Sequence, residues 1–265
     1  MTTSDAVFRS LLVSPLLVGD LPNAARLSRR GFVAPAVSVE LNFDQKLGHL
    51  YEDALATVLA ASPSIELLER NLQIQENIHS TVGELDFLIR DGNGTLTHLE
   101  LATKFYLAVK TEHCIAFPGP DARDNYDRKI HRLLSHQLTL TERHKANLPP
   151  EYRDEDIVVK QLIYGCLFDH ISEAQLGQLS HPEFSNPECR RGKWLHYGEL
   201  ADYFSNDSHF YLIQKHLWPV PIDTLEKMRL AKWQPSMFVD RCVMLRVDGH
   251  AVPYFVAPDE YPQQS

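Results

Sequence analysis

The stretch Glu84-Leu-Asp-Phe-Leu-Ile-Arg-Asp-Gly-Asn-Gly-Thr-Leu-Thr-His-Leu-Glu-Leu-Ala-Thr-Lys-Phe-Tyr106 reads as a β-hairpin with acids on one face. Leu85, Phe87 and Ile89 alternate with Glu84, Asp86 and Arg90, the two-residue period of a half-buried strand. Asp91-Gly-Asn-Gly94 supplies residues that tolerate positive φ, as a tight hairpin turn requires. On the return strand Leu99, Leu101, Phe105 and Leu107 share one face, and His98, Glu100, Ala102, Lys104 and Tyr106 share the other. One sheet face therefore carries Asp86, Glu100 and Lys104. Two carboxylates converging from paired strands, with a lysine beyond, are the parts of a divalent-metal hydrolytic site.

Working outward, Asp44 is placed to cap a helix running to Ala61, in which Leu47, Leu50, Tyr51, Ala54, Leu55, Val58 and Leu59 recur at helical spacing. Gly48 and Glu52 lie one turn apart beside that apolar stripe, and a close backbone approach is expected at the glycine. Ser64 to Asn71 is read as a short helix or turn, and Leu72 to Ile78 as a strand with Gln73, Gln75 and Asn77 on its polar side. After the hairpin, the second strand is expected to run on toward Ile115-Ala-Phe117. A helix over residues 123–138 then carries Tyr126, Ile130, Leu133, Leu134 and Leu138 as its stripe, edged by Lys129, Arg132, His136 and Gln137. The apolar run Ile157 to Phe168 suits a buried central strand. Helix, strand, hairpin, helix, strand is a mixed α/β core.

The flanks carry less chemistry. Residues 1–40 read as an N-terminal helical segment, helical from Asp5 to Leu12, with breaks at Pro15, Pro22 and Pro35 and an extended piece at Val37 to Leu41. Residues 171–265 read as a β-rich extension packed on the core. It contains a strand near Arg190 to Tyr197, a short helix from Glu199 to Phe204, and a closing hairpin over Arg241 to Val256 turned at Asp248-Gly249.

The 265 residues are 44% hydrophobic and 23% charged, the balance of an ordinary globular protein. A formal charge of −9 does not favour wholesale nucleic-acid binding, although Lys110, Arg123, Arg128, Lys129, Arg132 and Arg143 give one region a mild basic bias. No apolar run reaches the roughly 20 residues of a membrane helix, and the start lacks a basic region before Leu11 to Val18, so cytoplasm is the expected compartment. Cys114, Cys166, Cys189 and Cys242 lie far apart, which argues against a disulfide framework or zinc knuckle. Cys114, Cys166 and Cys242 sit in apolar sequence that suits a buried thiol. Of the thirteen histidines, His131 and His136 are five apart rather than four and the others are scattered, so they are read as surface or satisfied polar residues.

Gly48-xxx-Glu52 on a helix, Glu84-x-Asp86 on one strand and Glu100 on the next, with a lysine downstream and a helix ending in Gln137, resemble the PD-(D/E)XK nuclease superfamily. More narrowly, Leu47-Gly-His-Leu-Tyr-Glu52, Gly83-Glu-Leu-Asp-Phe-Leu88, His98-Leu-Glu-Leu-Ala-Thr-Lys-Phe-Tyr106, Asp127-Arg-Lys129 and Arg132-Leu-Leu-x-x-Gln137 resemble a bacterial family catalogued as domain of unknown function 1853. The first resemblance implies a restriction-endonuclease-like core in αβββαβ order over about residues 41–170. It also implies a phosphodiesterase acting on nucleic acid, with Mg²⁺ (or Mn²⁺) held by Asp86 and Glu100 and reached by Glu52. Lys104 would orient or activate water, and Lys129, Arg132 and Gln137 would contact phosphate or brace the site. The superfamily pattern places its lysine two residues after the glutamate, where this chain has Ala102. Lys104 lies about 13 Å along the strand from Glu100, and a bulge at Ala102-Thr103 would shorten that gap. The alternative is a catalytically inactive nuclease fold that binds nucleic acid or protein.

Overall fold

The computed structural model describes residues 1–37, 39–77, 80–177 and 179–262. A helix α1 (Thr3–Val13) leads to a two-residue strand β1 (Ala25–Arg26) and the long helix α2 (Leu47–Ala61). Strands β2 (Ile65–Asn77), β3 (Ser80–Asp91) and β4 (Leu96–Leu107) follow, then a small hairpin of β5 (Val109–Lys110) and β6 (Ile115–Ala116). Helix α3 (Tyr126–Ser135) and several short helical turns precede β7 (Ile157–His170). The remainder contributes β8 (Arg191–His196), β9 (Phe210–Leu212), β10 (Ala231–Trp233), β11 (Val243–Val247) and β12 (Tyr254–Ala257).

Nine strands form one mixed sheet in the order β10-β9-β11-β12-β8-β7-β4-β3-β2, with β1 paired to β7 outside that path. β2, β3 and β4 are antiparallel neighbours, whereas β4, β7, β8 and β12 pair in parallel. The β-rich extension thus continues the sheet of the core. It also covers it: Trp218 meets Phe105 edge-on with ring centroids 5.3 Å apart.

The helical period predicted for α2 places Leu50, Tyr51, Ala54, Leu55, Val58 and Leu59 in full burial against Phe87, Ile89, Leu99, Leu162 and Tyr164. Each large side chain removed from water in this way contributes about 1.5–3 kcal/mol. The other sheet face packs Tyr106, Ile163 and Leu167 on Tyr126, Ile130 and Leu133 of α3. With helices on both faces, β7 needs apolar residues on both sides, which is why it reads as a continuous apolar run.

Several expectations are corrected. Asp44 is not the cap of α2; Lys46 occupies that position without a side-chain bond. Residues 65–71 extend β2 rather than forming a helix, because Ile65, Leu67 and the residues after them pair with β3 across three register irregularities. Ile78, the expected end of that strand, and Ser38, within the expected extended piece, lie outside the described residues. β4 stops at Leu107, where its amide bonds to the carbonyl of Pro118, so Ile115 and Ala116 form a separate hairpin. The expected 123–138 helix is shorter, capped by the Asn125 side chain accepting from the Asp127 and Arg128 amides. Cys114 is exposed instead of buried, and all four cysteines are free thiols. The hairpin turn stands as predicted: the Asp91 carboxylate accepts from the amides of Asn93 and Thr95, and Gly94 has φ +85°.

The β4–β7 register is unbroken from Leu96↔Ile157 to Leu107↔Phe168, so no bulge brings Lys104 nearer Glu100. At the Lys104↔Gly165 pair a Cβ on Gly165 would fall 1.7 Å from the Lys104 carbonyl oxygen. Gly165→Ala is expected to cost about 3 kcal/mol or more, read as a lower urea midpoint, while Gly94→Ala at the open hairpin turn is expected to cost less.

Candidate active site

The site begins where two strands part. β3 pairs with β4 from Arg90↔Leu96 to Phe87↔Leu99 and no further, while its pairing with β2 continues to Ser80. In the gap beyond Leu99, the Asp86 carboxylate accepts from the Leu101 amide at 2.7 Å, taking the place of a strand partner. Glu100, next to that amide, is 2% exposed. Its two oxygens are held from opposite directions, by Nε2 of the fully buried His98 at 2.9 Å and by the Gln137 side-chain amide at 3.0 Å. Gln137 in turn accepts from the Lys129 ammonium at 2.8 Å. A chain His98–Glu100–Gln137–Lys129 therefore runs from β4 to α3 and the turn behind it.

Charge crowding defines the chemistry. Burial, then the Glu100 charge and a smaller contribution from Glu52, raise the Asp86 carboxyl from 3.8 to about 8, against the opposing pull of the Leu101 amide and Lys129. Lys129 is shifted the other way: burial and the nearby Lys104 charge lower its pKa, while Glu100 and Asp86 favour its charged form. A buried and a half-buried carboxylate beside a partly desolvated ammonium resemble a site built around a charged guest.

The predicted residues divide accordingly. Asp86, Glu100, Lys129 and Gln137 come together. Glu52 stands at the margin, where its Oε2 lies 3.3 Å from His49 Nδ1 and 4.0 Å from Arg70, and its charge reaches Asp86. Gly48 shows no close backbone approach; the nearest atom to a Cβ there would be Glu52 Oε1 at 3.8 Å. Lys104 turns away from the acids to Asp124 Oδ2 at 2.6 Å. Arg132 is exposed on α3 and its charge is felt by Lys129. Glu84 is bonded to Gln73 on the β2 side. His98 was missed as a member of the site, although its i, i+2 spacing to Glu100 on an alternating strand was a signal for it.

The free edge of β4 opens on a cleft of about 950 Å³ lined by Gly48, Ala102, Thr103 and Lys104 on one wall and by Trp218, Met237 and Met244 of the extension on the other. Lys46, Lys215 and Arg241 add positive charge to its rim. Among the described residues no helix is long and apolar enough to cross a membrane.

Because Asp86 binds a proton on folding between 3.8 and about 8, the stability it carries is fully present below 3.8 and is lost as pH rises through 8. Glu100→Gln removes the second-largest cause of that shift. Its unfolding free energy is expected to fall less steeply across this window, by about 1.4 kcal/mol for each unit by which the Asp86 pKa drops, as urea titrations at stepped pH would show.

In comparison with known proteins, residues 27–251 fit the family described as Domain of unknown function (DUF1853). No curated protein and no solved structure matches. Since that family covers most of the chain, including α2, the hairpin, α3 and β7, the protein belongs to the domain of unknown function 1853 family.

Proposed function

We propose that the chain is a Mg²⁺-dependent phosphodiesterase of the PD-(D/E)XK type that hydrolyses nucleic acid in the cytoplasm, with Mn²⁺ able to substitute, on a restriction-endonuclease-like core. The observation that carries this reading is the half-buried Asp86 crowded against the buried Glu100, with Glu52 beside them and Lys129 facing them. Carboxylate oxygens suit a hard divalent cation, and a cation between these acids would offset both the desolvation and the Glu100 repulsion that raise the Asp86 pKa. Among the described residues Asp86 bonds through Oδ2 and Glu52 through Oε2, which leaves Oδ1 and Oε1 as donors, and each Glu100 oxygen keeps a second lone pair. A bound Mg²⁺ supplies charge neutralisation at the phosphodiester and a more acidic water.

The chain's own residues do the remaining work. Gln137 holds Glu100 and Lys129 at a fixed separation. Lys129, in preference to Lys104, takes the lysine role: it faces the acids, and its lowered pKa suits it to orient water or steady a phosphate oxygen. Lys104 is engaged by Asp124 and belongs with Lys46, Lys215, Arg241 and Arg132 as a phosphate contact along the cleft and its approaches. Free, dispersed cysteines suit the reducing compartment.

The test is hydrolysis of single- and double-stranded DNA and RNA with Mg²⁺ or Mn²⁺. Asp86→Ala and Glu100→Ala are expected to abolish activity. Lys129→Ala should lower kcat on the order of 10²- to 10⁴-fold, and Lys104→Ala should mainly weaken binding. Unchanged activity in both acid variants overturns the proposal.

A second reading has its own support. Asp86, Glu100 and Glu52 are not among the groups of donors that gather within 4.8 Å of one another, and Ala102 stands where the superfamily lysine would be. On this reading the cleft binds nucleic acid or protein without cleaving it. Calorimetry showing no heat with millimolar Mg²⁺ or Mn²⁺, together with a stable nucleic-acid or protein complex, would select it.

A further inference from the structure

A different set of ligands stands at the far end of β7. In the parallel β7–β8 pair, His170 is opposite Trp194, so His170, Trp194 and His196 share one sheet face at the carboxyl ends of two adjacent strands. Trp194 lies against both imidazoles, with ring centroids 4.6 Å from His170 and 5.0 Å from His196. The turn after β8 then returns Glu199 to the same place. One ligand atom from each of His170, His196 and Glu199 lies within 4.8 Å of the other two, and all three residues are half-buried.

The surrounding hydrogen bonds hold these groups in place. His196 Nδ1 is 3.0 Å from the Pro258 carbonyl oxygen. A carbonyl only accepts, so Nδ1 carries the proton and Nε2 keeps its lone pair. His170 Nδ1 lies 2.8 Å from the Ser172 hydroxyl, which can donate or accept. Nδ1 also accepts from the Ser172 amide at 3.4 Å, so Nε2 carries the proton toward Glu199 Oε2 at 3.0 Å, and a metal bound at Nε2 takes that proton's place. Glu199 is itself anchored by accepting from the His196 amide at 2.7 Å. A carbonyl, a hydroxyl and a main-chain amide behind the donors are the outer partners that fix tautomer and orientation in metal centres. An ordinary ion pair explains His170 and Glu199, but not a second imidazole brought within 4.8 Å of both.

We propose that His170, His196 and Glu199 form a Zn²⁺ site, with a fourth position open to water, that clasps the ends of β7 and β8. Two imidazoles and one carboxylate favour a borderline metal such as zinc over Mg²⁺. Gln161, the β7 partner of Glu100, is nine residues before His170, about 30 Å along the strand. The two sites are therefore separate in place as well as in chemistry, and this one does not depend on the proposed nuclease.

The experiment is calorimetric titration of the metal-stripped full chain with ZnCl₂, with thermal unfolding in parallel. One equivalent is expected to bind and raise the unfolding midpoint. His196→Ala and Glu199→Gln should each weaken binding by about tenfold or more, and Asp86→Asn should leave it unchanged. Co²⁺ titration of the unaltered chain, which needs no variant to fold, should give the visible bands of a four-coordinate site. Substoichiometric zinc uptake, absence of those bands, or binding unchanged by His196→Ala overturns the proposal.

Discussion

The structure turns on a single hydrogen bond at a fork in the sheet, from the Leu101 amide to Asp86. Where β3 leaves β4, the amides of β4 lose their partners, and a buried amide left unsatisfied costs about 1–3 kcal/mol. Asp86 supplies the acceptor at that point and is thereby drawn into a half-buried position beside Glu100. One contact thus caps a strand edge, opens the cleft and creates the charge crowding. The architecture and the candidate chemistry cannot be separated here.

The rest of the fold supports the fork from both sides. Below it, α2 seals the apolar face of the hairpin with a stripe of fully buried residues. Above it, α3 and the turn after it bring Lys129 and Gln137 over the acids. Leu140 packs with Ile74, Leu85 and Leu148 beneath the diverging part of β3. That cluster holds β3 with β2 after it has left β4, so the gap is a built feature of the core. The C-terminal strands complete the sheet beyond β8 and supply the second wall of the cleft.

Which lysine faces the acids is decided by geometry of the same kind. An unbroken β4–β7 register leaves Lys104 four residues beyond Glu100, within reach of Asp124 in the loop before α3. Lys129 arrives from a different element and is fixed by Gln137. A strand that cannot bulge, because Gly165 already brings β7 against the Lys104 carbonyl, has no means of moving its own lysine closer.

Local chemistry in the sequence determined the hairpin and its turn, the α2 stripe, the apolar β7 and the αβββαβ order of the core, because each depends on periodicity or on residues that tolerate a particular φ. It also singled out Asp86, Glu100 and Lys104, to which the superfamily resemblance added Glu52, Lys129, Arg132 and Gln137. It did not determine the length of β2, since Ile65 to Asn71 follow no single period and take strand form by pairing with β3. Nor could it pair Lys104 with Asp124 and Lys129 with Gln137, bring His98 to Glu100, or join His170 to His196 and Glu199. Those relations connect residues far apart in the chain, or facing one another across a gap, and they exist when sheet register and strand divergence bring the side chains together. Tertiary structure alone decided that Glu100 would be buried with Asp86 half-buried beside it, because only strand divergence and the packing of α3 withdraw them from water.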